Sequence, residues 1–190
     1  QCAFEYDKAW LSNGFSISPL ELPLKPGLFI AKPSPFYGNF GVFEDSLPDG
    51  YGRNLLHKAL LKEGINDTQL SALDRLSLVG NGGMGALTYE PETSIGTSHE
   101  PLDFDLLQEK ALEVLHEKND DDVELLLFNS RNSGGCRPKA LFSNNEGHWM
   151  VKFRHTYDPQ DMGLIEFHYN ELARQCGIRV PDFKLINGCF

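Results

Sequence analysis

Five prolines lie between positions 19 and 35, and they limit the regular structure that this part of the chain can form. They are Pro19, Pro23, Pro26, Pro33 and Pro35. Each proline fixes its own φ angle, lacks an N–H donor and keeps the preceding residue out of the helical region. The segment is therefore predicted to be loop or extended backbone.

Short elements are expected around this segment, because positions 4–89 are rich in Gly, Pro and aromatic residues. The positions 4–10 and 11–17 indicate two extended pieces around the turn-prone Asn13-Gly14 pair. The positions 37–43, with the sequence YGNFGVF, resemble a strand that is interrupted by glycine.

Two helices are predicted next. The turn at positions 47–50 opens the first, which ends at Gly64 and has the apolar stripe Leu55, Leu56, Ala59 and Leu60. Asp67 or Thr68 is predicted to cap the second, with Leu70, Leu73 and Leu76 pointing inward. A strand over 86–89 is expected after Gly82-Gly83.

The middle of the chain is polar and rich in turn residues. Positions 90–101 are interpreted as a linker, and positions 103–118 predict an amphipathic helix. The acidic run at 119–122 ends that helix and is interpreted as a solvated turn. Positions 123–128 are too short to be assigned as helix or strand from periodicity.

The last third has a clearer order of elements. We expect a Gly-bearing loop over 130–139, then two strands over 140–143 and 148–153 that form a hairpin through the turn 144–147. A helix over 162–176 is expected to end at Gly177, and a further strand is predicted over 180–186. The buried stripe of that helix is predicted to be Ile165, Tyr169, Leu172 and Cys176.

Lys152 and Glu166 are the candidates for chemistry in this region. A glycine loop, a strand lysine and a helix carboxylate occur in the order found in a kinase amino-terminal lobe, where the lysine neutralises phosphate charge and the carboxylate holds the lysine. Each feature also has an ordinary structural explanation: a plain turn at positions 133–135, an edge-strand lysine, and a carboxylate near a helix start. The residues alone therefore indicate only a possible nucleotide-binding lobe.

The composition and the sequence motifs argue against several classes of protein. Seventeen Lys and Arg against 27 Asp and Glu give a net charge of −10, which argues against broad nonspecific nucleic-acid binding. No apolar stretch approaches the roughly 20 residues of a membrane span. The start lacks the features of a signal peptide and an initiator Met, so we expect a fragment. The scattered cysteines at 2, 136, 176 and 189 form no C-x-x-C pair and are expected to be reduced cytosolic thiols without a metal.

Several longer motifs resemble the HipA family of toxin serine/threonine kinases. In the first half they are Phe4–Asp7, Trp10–Leu11, Gly14–Phe15, Ile17–Pro19, Phe43–Gly52 and Val79–Leu87. In the second half they are Ser133–Lys139 (SGGCRPK), Lys152, Glu166 seven positions before Ala173, and Gly177–Pro181 (GIRVP).

The resemblance implies an α+β chain with a HipA-type amino-terminal subdomain over 1–95, a linker and connecting helix over 96–122, and a partial PI-3-kinase-like amino-terminal lobe over 123–190. It implies contacts to ATP with Mg from Lys152, Glu166, Ser133, Gly134 and Gly135. Ser133, with Ser130 as the alternative, is the implied autophosphorylation site.

The resemblance also implies what lies elsewhere in such kinases. The family's catalytic Asp and Asn and its metal-binding Asp belong to a carboxy-terminal lobe, and nothing up to Phe190 matches them. The chain is therefore expected to hold no catalytic or metal-binding residue and to be inactive alone, with exposed apolar side chains where that lobe would pack. Implied partners are that lobe and a HipB-like DNA-binding antitoxin, so that DNA is contacted only indirectly, in the cytoplasm.

Three interpretations remain open at the level of sequence. The first is the amino-terminal part of a HipA-like kinase toxin. The second is a non-catalytic binding or regulatory module, split or truncated, that binds an antitoxin or a separately encoded kinase lobe. The third is a degenerate structural remnant.

Overall fold

The computed structural model describes residues 1–93, 103–130, 132 and 134–186. The chain divides into two compact units that are interleaved in sequence. The first comprises Gln1–Leu47 and Asn66–Ser94, and the second comprises Pro48–Ile65 and Ile95–Phe190. The segment 48–65 thus belongs with the second unit, although the sequence grouped it with the first 95 residues.

The first unit consists of short elements, as its proline content predicts. They are strand β1 (Ala3–Phe4), helix α1 (Lys8–Asn13), strand β2 (Phe29–Ile30) and helix α2 (Gly41–Glu44). β1 and β2 pair antiparallel. The prediction of extended pieces over 4–17 is wrong beyond β1, because Asp7 accepts a hydrogen bond from the N–H of Ala9 at 2.7 Å and caps α1.

The second unit opens with helix α3 (Gly50–Lys62), which begins and ends close to the predicted limits. In the first unit, the predicted strand over 37–43 is wrong, since the chain there leads into α2. The predicted strand over 86–89 is also absent from this described stretch, where the residues have no regular structure.

The predicted capping residue of the next helix is also wrong. Asp67–Gln69 form a short 3₁₀ turn, and helix α4 (Ala72–Val79) begins after Ser71. The Ser71 hydroxyl accepts from the N–H of Asp74, whose carboxylate accepts from the N–H of Ser71 in a capping box. Leu76 is buried as predicted, whereas Leu73 is 61% exposed.

An aromatic cluster forms the core of the first unit. Its buried members are Cys2, Tyr6, Leu22, Ala31 and Phe40. The Tyr6 hydroxyl donates to the carbonyl of Leu22 at 2.6 Å and accepts from the N–H of Ile17 at 3.0 Å. Because both hydrogen-bonding roles of this hydroxyl are satisfied, the ring can be buried without an unpaired polar group.

Helix packing forms the core of the second unit. Helix α5 (Phe104–Leu115) lies within the predicted 103–118, and the undecided segment forms helix α6 (Val123–Ser130). The buried residues from α3, α5, α6 and the following hairpin form one cluster: Tyr51, Leu55, Ala59, Leu107, Ala111, Val114, Val123, Leu126, Ala140, Val151 and Phe153. The linker predicted over 90–101 lies outside the described residues from position 94 onward.

The predicted hairpin and the helix after it are confirmed. Strands β3 (Lys139–Asn144) and β4 (Gly147–Lys152) pair antiparallel, with Ala140 opposite Val151. Helix α7 (Met162–Gln175) follows, and the chain turns at Gly177 with φ +79°. The strand predicted over 180–186 is wrong, since these described residues have no regular structure and pair with no strand.

The buried stripe predicted for α7 is wrong as well. Tyr169 is 69% exposed and Leu172 is 54% exposed. The face toward the hairpin instead carries Gly163, Glu166 and Phe167. These positions follow the i, i+3, i+4 spacing of one helix face, so the helix is rotated relative to the prediction.

No helix in the described part of the chain is both long and apolar enough to cross a membrane. Cys2, Cys136 and Cys176 are free thiols. Cys189 lies outside the described residues.

Candidate nucleotide-binding site

The hairpin places two lysines opposite each other. Lys139 begins β3 and Lys152 ends β4, and they are partners in the strand register. Residues that face each other in an antiparallel pair lie on the same side of the sheet, and like charges there are unfavourable without an anion nearby. The pair therefore concentrates positive charge at one end of the hairpin.

Lys152 contacts the carboxylate of Glu166. Lys152 Nζ donates to Glu166 Oε2 at 2.9 Å, so the predicted approach of these two residues is confirmed. About half of the lysine side chain and a third of the glutamate side chain remain exposed. An exposed ion pair contributes at most about 1 kcal/mol to stability, so this contact fixes the lysine's position more than it stabilises the fold.

A cleft of about 350 Å³ opens beside this ion pair. The hairpin, α7 and the segment 182–186 line it, with aromatic side chains from Phe104, Phe142, Trp149, Phe167 and Phe183. Mostly apolar walls with a few polar groups at one end are typical of small-molecule sites. The cleft can hold a planar ring against aromatic walls while Lys152 contacts an anionic group.

The glycine loop lies before β3 and is fastened to the start of α3. The N–H of Gly135 donates to Asp49 Oδ1 at 2.6 Å, and the N–H of Tyr51 donates to the carbonyl of Gly135 at 3.1 Å. Gly135 has φ +94°, a conformation that favours glycine. Of the predicted loop residues, Gly134 and Gly135 are described, whereas Ser133 lies outside the described residues.

Ser130, the alternative modification site, is fully buried at the end of α6. Its hydroxyl donates to the carbonyl of Leu127 at 3.4 Å. A hydroxyl in this environment is not accessible to a phosphate donor in the described conformation.

Lys139 is a residue of this region that the sequence prediction missed. It is buried, and its ammonium group donates to the carbonyl of Gly134. Burial lowers the pKa of Lys139, because desolvation disfavours the charged form. The usable signal in the sequence was the hairpin turn, which sets the register and thereby places Lys139 opposite Lys152.

A second ion pair holds the loop that connects β4 to α7. The Arg137 guanidinium donates to both carboxylate oxygens of Asp158, at 2.8 and 2.9 Å, and the N–H of His155 donates to the same carboxylate. These donors lower the pKa of Asp158 to about 2, mainly through the hydrogen bond from Arg137. The pair joins the end of the glycine loop to the segment before α7.

Within the described residues, no group of three or more His, Cys, Asp or Glu side chains is placed to hold a metal ion. The groups that the cleft offers are the cationic side chains of Lys152 and Lys184 and aromatic walls. They suit an anionic ligand that carries an aromatic ring.

The site thus consists of a two-stranded hairpin with a lysine at its end, followed by a helix whose glutamate contacts that lysine. Residues 1–90 match the family model described as the HipA N-terminal domain. This part of the chain is a HipA-like amino-terminal domain, as its motifs indicated. No curated protein and no solved structure matches the chain.

Proposed function

We propose that the chain is the amino-terminal portion of a HipA-like serine/threonine kinase toxin and that it contributes contacts to the phosphates of ATP. The observation that carries this proposal is the 2.9 Å contact between Lys152 and Glu166 at the cleft. In kinases a strand lysine held by a helix glutamate contacts the nucleotide phosphates. The HipA-like domain over 1–90 supports the choice of family.

The charge of the site supports a phosphate ligand. Lys139 and Lys152 face each other at the end of the hairpin, where Glu166 pairs with Lys152 and the charge of Asp49 acts on Lys139. An anion between them would relieve the repulsion, and a triphosphate bound to Mg²⁺ supplies such an anion. In this proposal Gly134 and Gly135 allow the backbone of the loop to approach the phosphates, because glycine has no side chain. Ser133 is the proposed position for autophosphorylation.

The HipA family also suggests partners for this chain. A HipA-like toxin acts with a HipB-like DNA-binding antitoxin, so this chain would contact DNA only through that protein. Phosphoryl transfer also requires bound metal ions and a positioned nucleophile, which we assign to a carboxy-terminal kinase lobe. The chain alone is expected to bind nucleotide without transferring phosphate.

Calorimetric titration with MgATP tests the proposal. The wild-type chain is expected to bind MgATP more tightly than adenosine, and Lys152→Ala is expected to lose most of that difference. Lys184→Ala is a matched control, because Lys184 also lines the cleft but pairs with Glu146 of the hairpin turn at 2.6 Å. Equal affinity of the wild type and Lys152→Ala for MgATP would contradict the proposal.

A second candidate function is that of a non-catalytic binding module. The apolar side chains of Tyr169, Leu172 and Ile178 are more than half exposed on and just after α7. Such side chains are common where a protein partner packs. In this case the chain would bind an antitoxin or a separate kinase lobe without nucleotide.

Sedimentation velocity separates the two functions. A binding module is expected to form a complex with a supplied carboxy-terminal lobe that is weakened by Leu172→Asp and unaffected by Lys152→Ala. Failure to bind that lobe, together with MgATP binding that depends on Lys152, would favour the nucleotide function.

A further inference from the structure

Arg154 continues the hairpin beyond its last strand pair. The N–H of Phe153 donates to the carbonyl of Pro138 at 2.8 Å, so the backbone ladder extends one step past β4. Alternate residues of a strand share a face. Arg154 therefore follows Lys152 on the same side of the hairpin.

A small pocket brings Arg154 close to the proposed phosphate site. Its lining includes Arg137, Lys152, Arg154 and Glu166, and its volume is about 10 Å³. This volume accommodates about one water-sized group. Three residues with cationic side chains thus line space for a single oxygen atom, together with Phe153, Met162 and Gly163.

Two of the three cations have carboxylate partners. Arg137 is bound by Asp158, and Lys152 by Glu166. Arg154 forms no ion pair within the described part of the chain, and its Nε is buried there without a hydrogen-bond acceptor. A buried donor without an acceptor costs about 1 to 3 kcal/mol, and more when the group is charged. An oxygen acceptor supplied by a ligand would remove this cost.

We infer that Arg154 binds a phosphate group, with one phosphate oxygen entering the pocket that Arg154 shares with Arg137 and Lys152. This inference rests on the proposed nucleotide function and adds a residue to it. A guanidinium donates charge-assisted hydrogen bonds to phosphate oxygens, and the pocket has room for one such oxygen beside Arg154. The Lys152–Glu166 pair forms the border between this subsite and the larger cleft, so the phosphate bound here would be the end of the nucleotide away from the base.

The experiment compares ligands that differ in phosphate content. Adenosine, AMP, ADP and ATP are titrated with Mg²⁺ into the wild type and Arg154→Gln. Loss of charge-assisted hydrogen bonds is expected to lower ATP affinity by about tenfold or more and to leave adenosine affinity unchanged. Arg154→Lys keeps the charge but loses Nε. Its affinity for ATP is expected to lie between those of the wild type and Arg154→Gln. Arg53→Gln, at an exposed position of α3, is the control for the change in net charge.

A second measurement tests phosphate binding at Arg154 independently of nucleotide binding. Pyrophosphate is titrated while the arginine Nε–H resonances are followed by NMR, with the Arg154 signal assigned from Arg154→Lys. The inference predicts that this signal shifts and saturates. If the wild type binds ATP but Arg154→Gln binds it equally well, the inference is wrong and the proposed function stands.

If the wild type does not bind ATP, the proposed function is wrong, and the pyrophosphate titration decides the inference by itself. An unchanged Arg154 signal would mean that only water fills the pocket, and it would overturn the inference.

Discussion

Asp49 accepts a hydrogen bond from the N–H of Gly135 at 2.6 Å, although 86 residues separate them in the sequence. The contact fastens the glycine loop to the start of α3, a helix within the HipA-like domain match of residues 1–90. The carbonyl of the same glycine accepts from the N–H of Tyr51. The loop that is proposed to approach phosphate is therefore held by groups from the first part of the sequence.

A methyl group at Gly50 is expected to disturb this fastening. A Cβ at this position would lie 2.5 Å from the Gly135 carbonyl oxygen, and Gly50 also has φ +45°. Gly50→Ala is therefore expected to lower the free energy of unfolding by about 1 to 3 kcal/mol, measured by denaturant titration.

Gly64→Ala is the matched control for this change. Gly64 has φ +73°, but a Cβ there would have no neighbour within 4 Å. It is expected to show only the backbone cost of about 1 kcal/mol. Equal losses of unfolding free energy in Gly50→Ala and Gly64→Ala would mean that the close approach of Gly50 to Gly135 does not contribute to the effect.

Removing the hydroxyl of Tyr51 is expected to leave stability unchanged or to raise it. This hydroxyl is buried in the core without a hydrogen-bond partner in the described residues, and burial raises the pKa of Tyr51. Tyr51→Phe removes an unpaired polar group, which can be neutral or stabilising. Thermal unfolding of the variant measures the effect.

Tyr6→Phe gives the opposite expectation. The Tyr6 hydroxyl makes two hydrogen bonds, so its removal leaves the buried carbonyl of Leu22 and the partly buried N–H of Ile17 with one partner fewer each. A loss of about 1 to 3 kcal/mol is expected. A similar loss in Tyr51→Phe would show that the Tyr51 hydroxyl has a partner in solution.

The Arg137–Asp158 pair is expected to make stability depend on pH at the acidic end. The folded pKa of Asp158 is about 2, below the unfolded value of roughly 3.9. A lowered pKa means that the pair contributes stability above the unfolded pKa and loses it as pH falls through the folded pKa. The difference in unfolding free energy between the wild type and Asp158→Asn is therefore expected to be largest at pH 6. It is expected to decrease between about pH 4 and pH 2.

Asp161→Asn serves as the comparison, because Asp161 is exposed just before α7 and makes no ion pair within the described part of the chain. The loss of stability below about pH 4 is expected to persist in Asp161→Asn, because the Arg137–Asp158 pair is intact in that variant. A difference for Asp158→Asn that does not change with pH would contradict the assigned cause.

The hairpin and α7 were predictable because their signals are local. Alternation over β4 and the polar turn before it define the strands, and Gly177 defines the end of the helix. The strand expected over 180–186 failed because an apolar run becomes a strand only where another strand can pair with it. The rotation of α7 and the burial of Lys139 depend on contacts with distant segments, which no local pattern records.

We propose that the cleft beside Lys152 and Glu166 binds the nucleotide. The chain has two tryptophans, and only Trp149 lines the cleft, where its Nε1–H donates to Asn144 at 3.2 Å. Trp10 lies in the first unit, and its Nε1–H donates to the carbonyl of Phe15 at 3.0 Å. The indole N–H signal of Trp149 therefore reports on the cleft, and that of Trp10 serves as an internal reference.

MgATP is titrated into the wild type and Lys152→Ala while both indole N–H resonances are followed by NMR. Nucleotide binding in the cleft predicts a saturable shift of the Trp149 signal, no shift of the Trp10 signal, and a much weaker response of Trp149 in Lys152→Ala. A Trp149 signal that stays in place at saturating MgATP, or that shifts equally in Lys152→Ala, would contradict it.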